Sequence, residues 1–176
     1  SMIKLLTAFW NIMIKKSGQE SLPDSNFFLG LIFVFFFATQ VFSGIKVSGS
    51  VELFARSFLV DAFLLIFWVK ALVELYGTQA LFRRSLIALF GTGGILNIFY
   101  SPLILQFSRY LGEGDLLIEA QFPFWFTLAT LLVAFWSIII MAHIFSRLIS
   151  NPSYSVLITL FYLMVNFVLQ TSIAGM

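Results

Sequence analysis

Leu59-Val-Asp-Ala-Phe-Leu-Leu-Ile-Phe-Trp-Val-Lys-Ala-Leu-Val-Glu-Leu-Tyr76 is apolar enough for a bilayer, yet it contains Asp61, Lys70 and Glu74. A charge at the centre of a membrane costs at least ~2.5–3.5 kcal/mol on insertion scales. Ionisable residues within a span therefore turn toward a partner or a water-filled cavity. This stretch predicts a membrane helix with one polar side and neighbours that shield it. The rest of the chain supplies those neighbours.

Of the 176 residues, 60% are hydrophobic and only 10% charged, with a mean hydropathy of +1.01. Soluble domains carry about 25% charged residues, which excludes that class. Apolar runs rich in Phe, Leu and Ile recur along the chain, each near the ~20 residues that cross a bilayer. Spans are expected over about 27–45, 53–76, 86–107, 122–147 and 154–173. The expected fold is thus all-α: a polytopic membrane helical bundle of about five transmembrane helices.

Two segments precede the bundle. Residues 2–16 read as an amphipathic interfacial helix, with Lys4, Thr7, Asn11 and Lys15 forming a polar stripe at helical spacing. Phe9 and Trp10 suit the headgroup boundary. Residues 17–26 read as a linker, rich in Ser, Asn and Asp and broken by Pro23. No cleavable signal is expected, since no small-residue cleavage site precedes the first long apolar run.

Basic residues orient the bundle. The N-terminus and the loops after the second and fourth spans hold Lys4, Lys15, Lys16, Arg83, Arg84 and Arg147. The opposite flanks hold Lys46 and Arg109 and most of the acids, including those of the loop 109–119. By the positive-inside rule the N-terminus faces the cytoplasm and the C-terminus faces out, in a bacterial cytoplasmic membrane.

Two polar clusters follow from depth along the spans. Lys70, Glu74, Arg83, Arg84, His143 and Arg147 fall near the inner leaflet, where a basic residue from another helix is expected to join Lys70 at a buried Glu74. Gln40, Asp61, Asn97, Asn166 and Gln170 fall in the outer half, either as a clasp between helices or as an ion site. In the third span, Ser85, Ala88, Gly91 and Thr92 share one side and permit close helix approach. Pro102 is expected to bend or end that helix.

Several chemistries are excluded or weakened. The chain has no cysteine, so disulfides, thiolate metal sites and palmitoylation are out. A single histidine leaves no multi-histidine metal site, and no metal or cofactor is expected. No nucleophile motif accompanies His143, which ranks an intramembrane hydrolase last. A net charge of +2 is too small to draw nucleic acid. Membrane lipids, a membrane-protein partner or a second copy of the chain are the expected partners.

The opening Leu5-Leu-Thr-Ala-Phe-Trp-Asn11, the linker Leu22-Pro-Asp24 and five closely spaced spans resemble small bacterial members of the Yip family of membrane proteins. Eukaryotic members of that family are linked to Rab GTPases and vesicle traffic. The resemblance implies a non-enzymatic membrane protein that organises partner proteins or lipids. The alternative, from the buried charges, is a small transporter or lipid-translocating protein.

Overall fold

The computed structural model describes residues 2–112 and 123–175, and among them there are helices and turns but no strand. The helices are α1 (Met2–Met13), α2 (Asn26–Ser48), α3 (Val51–Tyr76), α4 (Phe82–Gly112), α5 (Phe124–Ile149) and α6 (Pro152–Ala174). Short 3-10 turns at Gln19–Ser21 and Gln79–Leu81 lead into α2 and α4. Gln79–Phe107, Phe124–Ile149 and Pro152–Ala174 are long and apolar enough to cross a membrane. α3 does not meet that measure, because Glu52, Arg56, Asp61, Lys70 and Glu74 are spread along it.

The turns that join the helices are set locally. Ser25 and Ser50 cap α2 and α3 by accepting from the backbone N–H of Phe28 and Leu53. Gly49 (φ +81°) and Gly77 (φ +69°) close α2 and α3 in the left-handed region that glycine adopts freely. Asn151 accepts from Ser153 and Tyr154, and Pro152 takes the first position of α6. Such abrupt ends make neighbouring helices antiparallel, and the contacts confirm it. Phe33 meets Phe58 while Phe37 meets Phe54, so α3 runs back along α2. Asp61 meets Asn166 while Ser57 meets Gln170, so α6 runs against α3.

α4 is the centre of the bundle. Ser85, Leu86, Ile87, Ala88, Leu89 and Phe90 are all buried at its start. Small residues let two neighbours approach it closely: Gly91, on the side expected to be small, and Gly94, outside that set. Gly94 lies under Phe35 of α2, where an added Cβ would come within 2.5 Å of the ring. Gly91 receives the Phe9 ring of α1, so a Cβ there would overlap that ring. Pro102, expected to bend or end the helix, does not end it: it lies inside α4, which continues to Gly112. The hydroxyl of Ser101 donates to the Asn97 carbonyl at 2.8 Å. The expected loop from Arg109 is therefore helical through Gly112; its remainder, and the expected start of the fourth span at Phe122, lie outside the described residues.

The N-terminal segment is docked into the bundle. The helix expected over 2–16 runs over Met2–Met13, and its buried face is Phe9, Ile12 and Met13. Lys15, in the left-handed region at φ 64°, turns the chain away from α1. The indole N–H of Trp136 on α5 then donates to the Met13 carbonyl at 2.9 Å, satisfying a helix-end acceptor. The connector that follows is buried at Gly18, Gln19 and Leu22. Gln19 is the anchor: its amide donates to Ser85 Oγ at 3.1 Å and to the Ile144 carbonyl at 2.9 Å, bridging α4 and α5.

Candidate functional site

At the end of the bundle opposite the connector, four helices, α2, α3, α4 and α6, leave a polar cavity. Its depth is fixed by α3, whose Asp61 lies above the buried Leu65 and Val69. α6 contributes Asn166 and Gln170, one turn apart on the face toward α3. Asn166 Nδ2 donates to Asp61 Oδ1 at 3.3 Å. Gln170 Nε2 donates to the Ser57 carbonyl at 3.1 Å, and Ser57 Oγ returns a bond to Gln170 Oε1 at 2.7 Å. From α4, Asn97 donates to Thr39 Oγ1 of α2 at 3.3 Å. The side chains of Gln40 and Tyr162 also lie near the Asp61 carboxyl.

All five residues expected in the outer-half cluster line this one cavity, of about 360 Å³, together with Ser43, Ser48 and Ser57. Gln40, Asp61, Asn97 and Asn166 also line a smaller chamber of about 220 Å³ below it, completed by Thr92, Ser137 and Tyr162. The two volumes are one site in two storeys, with the Asp61 quartet as the floor between them. Among the described residues no Lys, Arg or His lines either part, and Asp61 is the one carboxyl there. Beneath, Val69, Val73, Ile87, Phe90, Ile144 and Phe145 are essentially inaccessible. The cavity is a cup with a dry, close-packed base.

Beside the cup runs an apolar groove of about 570 Å³ between α4 and α5, lined by Leu103, Phe107, Phe126 and Leu131 among others. It shares Val47 and Ile104 with the cup and Tyr100 with the lower chamber. Polar and apolar volumes thus meet along one wall.

The residues expected near the inner leaflet behave differently. Glu74 does pair with Lys70, at 2.8 Å, but the two side chains are 54% and 52% exposed and no basic residue of another helix joins them. Glu74 therefore does not face the bundle interior as expected. Lys70 Nζ instead lies 5.4 Å from the centre of the Phe82 ring. Arg83 pairs with Asp24 at 2.7 Å, and Arg147 pairs with Glu20 at 3.1 Å. His143 Nε2 lies 2.6 Å from the Ser17 carbonyl, a bond that needs the proton on Nε2. Arg84 makes no bond through its buried Nε among the described residues. The expected single cluster resolves into separate contacts that hold the connector to the bundle.

The reason is partner choice. Basic side chains at a helix end in contact with water take the nearest acid, and the connector brings Glu20 and Asp24 to the ends of α5 and α4. Sequence reasoning missed these acids, and also Ser57, Tyr162, Thr92 and Ser137 in the cup. Ser57 could have been found from spacing, since it precedes Asp61 by one turn and shares its face. Tyr162 could have been found the same way, one turn before Asn166, whereas nothing in the spacing marks Gln19. Comparison with family models, curated proteins and solved structures finds no match.

Proposed function

We propose that this chain is a non-enzymatic integral membrane protein that binds and positions a lipid, with the headgroup in the Asp61 cup. The observation that carries this reading is the contact between a polar cup and an apolar groove along Val47 and Ile104. A headgroup needs hydrogen-bonding partners and a hydrocarbon chain needs an apolar wall; here the two adjoin. In this reading α2 to α6 are five spans, the N-terminus is cytoplasmic and the cup opens outward, in a bacterial cytoplasmic membrane. A Yip-like role in organising lipid fits this arrangement. Passage across the membrane is disfavoured, since Phe90, Ile144 and Phe145 close the base of the cup.

Native mass spectrometry of the full chain, extracted in a mild neutral detergent, tests the reading. One retained lipid per chain is expected. Ser57→Trp, which fills the mouth of the cup, should remove it. Wild-type protein free of lipid, or retention unchanged by Ser57→Trp, refutes the proposal.

A further inference from the structure

We infer that the lipid bears an amine: its ammonium is held at Asp61 and its hydrocarbon chain lies in the groove between α4 and α5. This rests on the lipid-binding reading above and goes further by naming the headgroup class. Charge complementarity is the first argument. Asp61 has no ion-pair partner among the described residues, and no Lys, Arg or His lines the cup. A phosphate or carboxylate headgroup would meet a like charge there with no cation to offset it. An ammonium would supply the missing counter-charge, and buried charges are retained where they are paired.

Hydrogen bonding points the same way. An ammonium has three donors and no acceptor. Asn97, which lines the cup, donates its amide N–H to Thr39 and keeps its carbonyl oxygen as an acceptor. The Asp61 carboxylate accepts one bond from Asn166 and keeps further lone pairs. Gln170 Oε1 is already committed to Ser57, so the acceptors concentrate around Asp61 rather than at the mouth. The chain's position follows from the shared wall. A headgroup at Asp61 passes Ile104 and Val47 to reach Leu103, Phe107, Phe126 and Leu131. These side chains offer dispersion contacts and no hydrogen bonds, as a hydrocarbon chain requires.

The test titrates the full chain in neutral detergent with hexadecylamine, hexadecanol, hexadecyl phosphate and ethanolamine, read by native mass spectrometry. Hexadecylamine should bind one per chain and about thirtyfold tighter than hexadecanol, as for losing one partner of a buried charge pair. Asp61→Asn should reduce the amine to the level of the alcohol. Thr127→Trp, which fills the groove, should weaken amine and alcohol alike, and it keeps the inference testable if Asp61→Asn does not fold. Equal affinity for amine and alcohol overturns the headgroup class but leaves lipid binding standing. Tightest binding of hexadecyl phosphate does the same. Ethanolamine binding as tightly as hexadecylamine overturns the lipid as source in favour of a free amine. Failure of every probe, with wild-type protein also free of retained lipid, removes both readings together.

Discussion

If α1 is a docked part of the bundle rather than a helix lying beside it, Phe9 and Gly91 should behave as a coupled pair. Phe9→Ala removes a ring that is 5% exposed and seated where Gly91 has no side chain. In a water-soluble core such a truncation costs about 3–5 kcal/mol. Within a membrane the transfer part shrinks, because the ring exchanges protein for lipid, leaving a packing loss of roughly 1–3 kcal/mol. Gly91→Ala places a Cβ inside the Phe9 ring's envelope, and overpacking of this kind costs about 1–3 kcal/mol. In the double variant the new methyl occupies space the ring has left. The double variant should therefore be less destabilised than the sum of the singles by about 1 kcal/mol or more, within the range for residues in contact. Reversible unfolding of the full chain in detergent or bicelles, followed as a double-mutant cycle, measures this. Strict additivity would show that α1 does not dock on α4 and would refute the reasoning.

Gln19→Leu should destabilise the chain by about 1–3 kcal/mol, since a buried amide that bridges α4 and α5 loses both bonds; unfolding in the same system checks it. Glu74→Ala should leave thermal stability unchanged, because its pair with Lys70 is half-exposed; a marked loss would restore the interior cluster. Glu20→Ala with Asp24→Ala should speed proteolysis of the connector without unfolding the bundle, since each half-exposed pair contributes only about 0.2–1 kcal/mol. The cysteine-free background allows a direct test of the cup's hydration. Ser57→Cys should react with a water-soluble maleimide added outside cells, while Ser85→Cys, fully buried, should not.

The outer-half residues could be gathered from the sequence because two constraints act on them at once. Depth along a span follows from a rise of 1.5 Å per residue, and a polar group in hydrocarbon has to meet another. Gln40, Asp61, Asn97, Asn166 and Gln170 therefore had few places to go, and they share one cavity. The same logic does not reach Lys70, Glu74, Arg83 and Arg147. At the ends of helices water is an alternative partner, and the connector's acids compete on equal terms. The connector itself reads as loose on composition, yet Gln19 fills a slot between two helices whose existence depends on tertiary packing. The helix count along α2 to α6 was legible from hydrophobic runs, and the span expected over 86–107 already carried α4 through Pro102. What the runs did not show is that the helix continues past Phe107, into the stretch read as a polar loop, as far as Gly112.

The division of labour along the bundle axis explains why the N-terminal segment is built as it is. One end is fastened repeatedly: Trp136 holds Met13, His143 holds Ser17, Gln19 spans α4 and α5, and two ion pairs follow at Glu20 and Asp24. The other end is held across helices by Asn166 to Asp61 and Asn97 to Thr39, both at 3.3 Å, and by the two bonds between Gln170 and Ser57 at 2.7 and 3.1 Å, around a cavity. The fastened end carries more: two ion pairs, and bonds shorter than 3 Å from Trp136, His143 and Gln19. A cup of that kind can admit a guest only if its rim yields while its base does not. Fastening α4 to α5 through Gln19 fixes their spacing at the base, so any widening between them is confined to the far half, where the groove already separates them. The docked N-terminal segment thus sets where the bundle can open.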